Sequence, residues 1–411
     1  MDQTISKNAV LNIDQAIMRI VAWIKRNGWA GWDPYDVKGL SFFRKIDALP
    51  NNLLGKLIKR ILAITVDFNP LFFRKLFKVK PQINAKALGL FLSSYCNMYL
   101  ATKDQQFLQK ALEIASWLEQ NRVTGLRGWG WGYSFDWQSV ILIPEGTPSS
   151  IASVTVGEGF YLLYKCTGDS KYLTICKKIC DFFVNELNLT YNHDQVICYS
   201  YTPLDDYQVH NTNLFIGEFL TRIGKELGDN CLIEQGLRCG GFALKEQQTE
   251  GFLPYWGLAQ TEKYSNGKIH TDHYHSGFEI RALYGIWKNT GDARFQIAYN
   301  KYLVWYSQNL FENQIIPRFT SRSMYPIDIH ACSEAILCRS VLLPDHPEQR
   351  KYLDKTVEWV IENMEDKEGE YLYLIKKLPL IGRYKIKIPM IRWGEAWMFR
   401  ALSEMYRQIN V

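Results

Sequence analysis

Apolar residues recur at helical spacing along most of the chain, in paired segments joined by short polar turns. The pairs cover residues 85–101 with 105–120, 149–165 with 171–187, 211–227 with 231–247, 276–288 with 293–310, and 331–341 with 349–363. Apolar side chains three or four positions apart form one face of a helix, which must pack against another element. The pattern therefore predicts an all-α protein built from helical hairpins.

The turns inside these pairs share a short phrase, clearest at Thr167-Gly168-Asp169. A glycine can end one helix in the left-handed conformation, and an aspartate can cap the free N–H groups of the next. The aspartates of the five turns are separated by 65, 60, 63 and 53 residues, and they are Asp104, Asp169, Asp229, Asp292 and Asp345. A period of about 60 residues predicts an array of repeated hairpins.

Two helical segments lack a partner, residues 13–25 at the start of the chain and 394–407 at its end. Pairing them adds a sixth hairpin and closes the array, so we expect a single (α/α)6 toroid over residues 1–411. The inner helices should start near residues 85, 149, 211, 276, 331 and 394. Two basic insertions interrupt the pattern, 40–80 with one helix at 53–65, and a hairpin-like segment at 368–392.

The loops that precede the inner helices are long and rich in polar and aromatic residues, with some short β-structure expected. The turns at the other end are short, and we expect this closed rim to have no room for a site. Five of the seven histidines fall in the long loops, at His210, His270, His273, His275 and His330. The pattern places the functional site at the N-terminal ends of the inner helices.

Two kinds of chemistry are compatible with these loops. Asp136, Asp206 and Asp328, with Asp205 beside them, provide the pair of carboxylates that glycoside hydrolysis requires. Uronate epimerisation or lysis instead requires a base such as Tyr or His and a cation that stabilises the developing charge. Tyr201, Tyr274, His275 and Arg392 provide those groups, and His210 and His330 are further proton carriers or helix caps.

Aromatic and amide side chains in the same loops are candidates for stacking on and hydrogen bonding to sugars. They are Trp129, Trp131, Trp137, Gln138, Tyr201, Asn211, Trp256, Tyr325, Arg392, Trp393 and Glu395. No Ser nucleophile elbow, phosphate-binding glycine loop or zinc spacing is present, so we expect no metal and no cofactor. The cluster His270, Asp272, His273 and His275 is a weak metal candidate.

Nine cysteines without a CxxC pair, mostly within apolar segments, indicate free buried thiols. Together with the lack of a signal peptide and of a long apolar run, these thiols predict a cytoplasmic protein.

The net charge of +6 is concentrated at residues 42–80 and 371–392, which carry +7 and +6. These segments are either solvated loops or a docking surface for an anionic membrane or a polyanionic glycan. A nucleic-acid partner is disfavoured because no recognition motif accompanies the charge.

Four phrases carry a family resemblance: GWGYSFDWQ (130–138), SYTPLDDYQVHNTN (200–213), YPIDIH (325–330) and IPMIRWGEAWMFRAL (388–402). They resemble a bacterial family from exopolysaccharide and capsule gene clusters with a six-hairpin, glycosidase-like fold. Asp272-His273-Tyr274-His275 is similar to the last segment of glucuronyl C5-epimerases. Gly394-Glu395 departs from the family pattern, where Ala-Gln is expected.

The resemblance implies a toroid with a role in glycan metabolism but no particular reaction, and it carries a set of cavity residues onto this chain. These are Asp136, Trp137, Gln138, Asp206, His210, Asn211, Asp328, His330 and Arg392. We expect a protein of polysaccharide biosynthesis or processing that cleaves an acidic poly- or oligosaccharide with an Asp pair. The alternatives are a uronate epimerase or lyase, and a non-catalytic glycan-binding component that works with polysaccharide-assembly proteins.

Overall fold

The computed structural model describes residues 2–50, 52–379 and 382–410, with side chains from residue 13 onward except 63 and 67. Six helices form an inner ring with their N-termini at one end. They are α5 (Ala85–Thr102), α7 (Ser150–Thr167), α9 (His210–Leu227), α12 (His273–Thr290), α14 (Ile329–Leu342) and α16 (Glu395–Asn410). Each packs against the next, and α16 packs against both α14 and α5, so the ring is closed.

Six further helices form an outer layer, each antiparallel to the inner helix that it covers. They are α1 (Asp2–Asn27), α6 (Gln105–Gln120), α8 (Ser170–Glu186), α10 (Asn230–Glu246), α13 (Ala293–Asn309) and α15 (Arg350–Met364). The first helix packs on the last, as the unpaired segments predicted. The (α/α)6 toroid is therefore confirmed.

The repeated turn has the predicted chemistry at most positions. Gly168, Gly228 and Gly291 end their helices with φ between 67° and 75°, where a side chain would be strained. Asp169 then accepts the N–H of Lys171 at 2.9 Å to begin the next helix. The fifth turn differs: Asp345 accepts the Tyr284 hydroxyl at 2.5 Å, and a short 3-10 helix at Pro347–Gln349 precedes α15.

The long loops at the other end contain short antiparallel sheets. The paired strands are β1 (Ala30–Gly31) with β2 (Gln82–Ile83), β3 (Trp137–Gln138) with β4 (Leu142–Ile143), β5 (Leu189–His193) with β6 (Val196–Tyr199), and β7 (Phe311–Glu312) with β8 (Ile316–Pro317). A three-stranded sheet joins β9 (Ile327–Asp328), β10 (Leu374–Leu378) and β11 (Gly382–Ile386). The basic segment 368–392 thus contains a β-hairpin attached to the strand that leads into α14. An additional helix, α11 (Leu258–Ser265), lies in the loop before α12.

The insertion at 40–80 contains three helices where the sequence predicted one: α2 (Ser41–Asp47), α3 (Leu53–Phe68) and α4 (Pro70–Leu76). Val37, Phe43 and Val66 form a small core of their own. Arg74 fixes the insertion to the toroid, because its guanidinium donates to the Asp36 carboxylate at 2.7 Å and to the Asp33 carbonyl at 2.6 Å. None of the helices in the described residues is long and apolar enough to cross a bilayer.

The end of the toroid that carries the short turns is more open than the sequence predicted. Between the C-terminal ends of the inner helices lies a cavity of about 570 Å³, so the expectation of no room was wrong. The reason is that the short turns run around the ring and leave its centre open. Two of the arginines that line this cavity are paired: Arg281 with the buried Glu334 at 2.7 Å, and Arg222 with Glu218, which also lines it, at 2.6 Å. The first pair joins α12 to α14, whereas the second lies within α9, so both arginines already have a carboxylate partner in the protein.

Two glycines of α10 provide a matched test of helix packing. A Cβ on Gly236 would lie 2.6 Å from the Gly217 carbonyl oxygen, whereas a Cβ on Gly241 would meet only the Val196 side chain at 3.4 Å. We expect Gly236→Ala to destabilise the protein by about 1–3 kcal/mol through overpacking, and Gly241→Ala to stabilise it by about 0.5–1 kcal/mol through helix propensity. Thermal unfolding followed by circular dichroism measures both; equal shifts of Tm would contradict the close approach of α9 and α10.

Candidate active site

A small cavity lies at the N-terminal ends of the inner helices, and the second residue of five of them lines it. These residues are Lys86, Ile151, Asn211, Tyr274 and His330. Side chains tilt toward the N-terminus of their helix, so corresponding first-turn positions around a closed ring converge. The loops contribute Tyr35, Tyr133, Trp137, Tyr201, Tyr255, His275, Phe278, Arg392 and Trp393. The cavity measures about 80 Å³, and no carboxylate is among the described residues that line it.

One wall is built on a buried ion pair. Arg392 donates to both carboxylate oxygens of Asp33, at 2.5 and 2.8 Å. Burial opposes the charge of Arg392, but Asp33 outweighs it and raises the pKa of the guanidinium above its ordinary value. The guanidinium lies 5.1 Å from the centre of the Tyr133 ring. Arg392 therefore gives the cavity a fixed positive charge.

The tyrosines of the cavity stay protonated at neutral pH. Burial raises the pKa of Tyr201 well above its ordinary value, and it raises the pKa of Tyr133 and Tyr274 as well. The Tyr133 and Tyr201 hydroxyls lie 3.2 Å apart and share a hydrogen bond. These phenols are suited to donate hydrogen bonds to a ligand, and a phenolate base is disfavoured.

Two histidines in the cavity have different environments. The Nδ1 atom of His275 lies 2.6 Å from Asp272, whose carboxylate also caps α12. Because a carboxylate only accepts, this contact holds the proton on Nδ1 and leaves Nε2 for the cavity. The His330 ring stacks on Tyr274 at 4.5 Å, and neither of its nitrogens has a hydrogen-bond partner within the described part of the chain.

His330 is neutral at pH 7. Burial, followed by the charges of Lys86 and Arg392, lowers the pKa of His330 well below its ordinary value. Burial, followed by the charge of Arg392, also lowers the pKa of Lys86. His330 therefore presents an unpartnered, unprotonated ring nitrogen at pH 7, which is the protonation state that a proton acceptor requires.

The three predicted catalytic aspartates are not brought together in this cavity. Asp136 lies in a neighbouring groove and accepts the Glu145 N–H at 2.9 Å. Asp206 is exposed and paired with Lys263 at 3.1 Å. Asp328 is buried behind the wall, where it accepts the His330 N–H and the Trp393 indole N–H, both at 2.8 Å. Burial nevertheless raises the pKa of Asp328 to about 7.

The other predicted residues divide between the cavity and its surroundings. His210 is buried behind the wall, 2.9 Å from Glu246 and stacked on Phe242. Trp137, Tyr201, Asn211, Arg392 and Trp393 line the cavity, as does Tyr274. Outside it lie Trp129, Trp131, Gln138, Trp256, Tyr325 and Glu395.

Packing explains why several of these lie elsewhere. The indole of Trp131 is buried and donates to the Leu118 carbonyl at 2.9 Å, and Trp129 lies against Arg122 at 4.3 Å. The Glu395 carboxyl is fully buried, and burial raises its pKa to about 8. In the part of the chain that the structure describes, no group of three His, Cys, Asp or Glu could hold a metal ion.

Sequence reasoning missed Tyr35, Lys86, Tyr133, Tyr255 and the Asp33 partner of Arg392. A signal for Lys86 exists: it is the second residue of an inner helix whose next twelve residues are all buried. A single cation at the start of such a helix, at the position equivalent to His330, indicates a functional side chain. Asp33 belongs to a Gly- and Trp-rich segment that resembles the loop before α7. That likeness could have placed Asp33 at the N-terminal ends of the inner helices.

No protein-family model matches the chain, and no curated protein sequence is similar to it. Solved structures do match. Cellobiose 2-epimerase from Spirochaeta thermophila has a TM-score of 0.59 at 13% identity, covering 80% of this chain and 88% of that one. The α-mannanase of glycoside hydrolase family 76 from Bacteroides thetaiotaomicron has a TM-score of 0.59 at 12% identity, and the match again covers 80% of this chain and 88% of that one. The chain has the fold of the six-hairpin carbohydrate enzymes.

An unsaturated glucuronyl hydrolase specific for heparin matches over nearly the whole length. Its TM-score is 0.60 at 11% identity, and the match covers 97% of this chain and 96% of that one. At such identities the likeness establishes the architecture and no reaction. The three neighbours act on saccharides, and their names describe epimerisation and hydrolysis.

Asp328 makes a pH-dependent contribution to stability. Its pKa in the folded protein is about 7, against an ordinary value of 3.8, so the folded state holds the proton more tightly than the unfolded state. The free energy of unfolding contributed by Asp328 is therefore present at low pH and lost as pH rises toward 7. Asn can accept the same two hydrogen bonds without titrating.

We expect wild type to lose on the order of 2–4 kcal/mol relative to Asp328→Asn between about pH 4.5 and pH 8. Urea unfolding of both proteins at the two pH values measures this difference. A constant difference would show that Asp328 is ionised in the folded protein at both pH values.

Proposed function

We propose that the chain is a carbohydrate-active enzyme that moves a proton at a sugar carbon, as an epimerase or isomerase does. The observation that carries this proposal is the His330 imidazole, neutral and unpartnered, in a cavity that also contains the His275–Asp272 pair. Proton transfer needs an acceptor and a donor at one carbon, and the two histidines supply both roles. The absence of a carboxylate from the described lining residues favours this chemistry over hydrolysis by an Asp pair.

The reaction begins with a carbon next to a carbonyl or carboxyl group. His330 removes the proton from that carbon, and the electron pair of the broken C–H bond delocalises onto the neighbouring oxygen. The charge of Arg392 favours the resulting anion, and Lys86 and the Tyr133 and Tyr201 hydroxyls can donate hydrogen bonds to it. A protonated His275, ion-paired with Asp272, then gives a proton to the opposite face of the same carbon, which restores the carbonyl or carboxyl group and yields an epimer. An isomer forms when the proton goes instead to the former carbonyl carbon and the proton of the neighbouring hydroxyl moves to the first oxygen.

The cavity also defines the part of the substrate that enters. At about 80 Å³ it is much smaller than the roughly 300 Å³ of a typical ligand pocket, so it can admit at most one terminal sugar unit and excludes the middle of a polymer. The aromatic faces of Trp137 and Tyr255 can stack on the C–H face of that unit. The positive Arg392 favours an acidic sugar, in line with the proposed role in bacterial polysaccharide biosynthesis or processing.

Glycoside hydrolysis is a second candidate, and it is supported by Asp328. A carboxyl with a pKa of about 7 is half protonated at neutral pH, as a general acid must be. Asp328 adjoins His330 and Trp393, and both line the cavity. This role requires the Asp328 side chain to turn away from its two hydrogen-bond donors toward the glycosidic oxygen.

Solvent exchange separates the two candidates. In deuterated water, wild type should introduce one deuteron per turnover at a carbon of a reducing or uronic sugar, measured by mass spectrometry and proton NMR. His330→Gln and His275→Gln should each lower the rate by about 10²-fold or more, because each removes one proton carrier. His193→Gln, in the exposed β5–β6 turn, is the matched control and should leave the rate unchanged.

Screening uses reducing disaccharides, unsaturated uronides and uronate-terminated oligosaccharides. New reducing ends that form without deuterium at carbon, and that disappear in Asp328→Asn while persisting in His275→Gln, would overturn the epimerase proposal in favour of hydrolysis.

A further inference from the structure

Helix α3 presents a continuous apolar face to solvent. Six of its aliphatic side chains are 37–90% exposed, and they are Leu53, Leu54, Leu57, Ile58, Ile61 and Ile64. At 3.6 residues per turn they fall within an arc of about 140°. Single exposed leucines are ordinary, but six on one face form a patch of the kind that marks an interaction site.

The rest of the helix surface shows what kind of partner suits this face. Leu62 and Val66 lie farther around the helix, beyond Ile58, and pack on the small core of the insertion. Lys56 and Arg60 are exposed along one border of the apolar face. An apolar face with cations along its edge is the arrangement of helices that lie in the surface of a bilayer.

Neighbouring elements extend the same surface. Helix α4 adds Phe72 and Leu76, which are 52% and 57% exposed. The β10–β11 hairpin joins it through Tyr384, whose ring centre lies 5.2 Å from that of Phe68, and through Lys376, whose Nζ lies 5.3 Å from the Phe68 ring. The two basic segments of the sequence are thus adjacent in space. We call α3, α4 and the β10–β11 hairpin the docking surface.

The charge of the docking surface identifies the partner. Residues 42–80 and 371–392 carry +7 and +6, but Arg74 and Arg392 are buried and paired with aspartates outside these segments. The exposed cations of the docking surface are Lys56, Arg60, Lys75, Lys377, Arg383 and Lys385. A second copy of the chain would bring like charges together, whereas a leaflet with anionic lipids complements both the charge and the apolar face. We propose that the docking surface binds an anionic membrane, with the α3 aliphatic side chains in the headgroup region and the cations on the lipid phosphates.

The docking surface is joined to the cavity wall by a short chain of buried contacts. Arg74 of α4 bonds to Asp36 and to the Asp33 carbonyl, and the Asp33 carboxylate holds Arg392. Docking would therefore set the position of the cavity relative to the bilayer, which suits a saccharide attached to a lipid. This last point rests on the proposed function; the docking itself rests on the surface alone.

Vesicle flotation tests the proposal with purified full-length protein. Vesicles of equal parts phosphatidylcholine and phosphatidylglycerol should carry wild type to the top of the gradient. Pure phosphatidylcholine vesicles should bind the protein at least about tenfold more weakly. Leu57→Gln/Ile61→Gln should lower binding about tenfold or more by removing apolar area. Lys56→Gln/Arg60→Gln should lower it by a smaller factor and reduce its salt dependence.

The matched control is Ile297→Gln/Val304→Gln on α13, which alters two side chains that are 69% and 57% exposed. It should bind vesicles like wild type, and circular dichroism should show all variants folded. Equal flotation on both vesicle types, or unchanged flotation of Leu57→Gln/Ile61→Gln, would overturn the proposal. So would a dimer in size-exclusion chromatography that this variant dissociates while vesicles bind neither protein. Flotation needs no saccharide, so its failure is distinguishable from failure of the proposed reaction.

Discussion

The closure of the ring and the charge of the cavity both depend on the buried ion pair between Arg392 and Asp33. Asp33 follows the first helix and Arg392 precedes the last, so the pair lies where the two ends of the chain meet. The neighbouring backbone follows the same path, with the Ile391 N–H donating to the Trp32 carbonyl at 3.1 Å. Loss of either partner would leave an uncompensated buried charge, which typically costs about 3–5 kcal/mol.

The same pair determines the electrostatics of the cavity. Arg392 keeps its charge because the Asp33 carboxylate stabilises the buried guanidinium. The charge of Arg392 then helps to lower the pKa of both Lys86 and His330. A neutral base and a positive environment for a developing anion therefore have one structural origin. The site depends on burial at least as much as on the identity of its residues.

Periodicity predicted the toroid because most of the hairpins repeat one local turn, in which an aspartate caps the second helix. The Gly-Asp turns mark the helix ends, and the unpaired terminal helices indicate closure. The site was less predictable, because the distance between carboxylates on different loops has no local signature. Asp136, Asp206 and Asp328 share loop positions in the sequence, yet their hydrogen bonds direct them to a groove, to the surface and to a helix cap. The first-turn residues of the inner helices converge by geometry, which is why His330 and Asn211 both line the cavity.

A crystal structure with a saccharide bound in the cavity tests the central claim most directly, since it shows which atoms of the protein face the reacting carbon. The proposed mechanism predicts a terminal sugar with one C–H carbon between the His275 and His330 imidazoles, each within about 3–3.5 Å. The oxygen next to that carbon should face Arg392 or Lys86. A sugar whose glycosidic oxygen lies against Asp328, with both imidazoles away from any C–H bond, would contradict it.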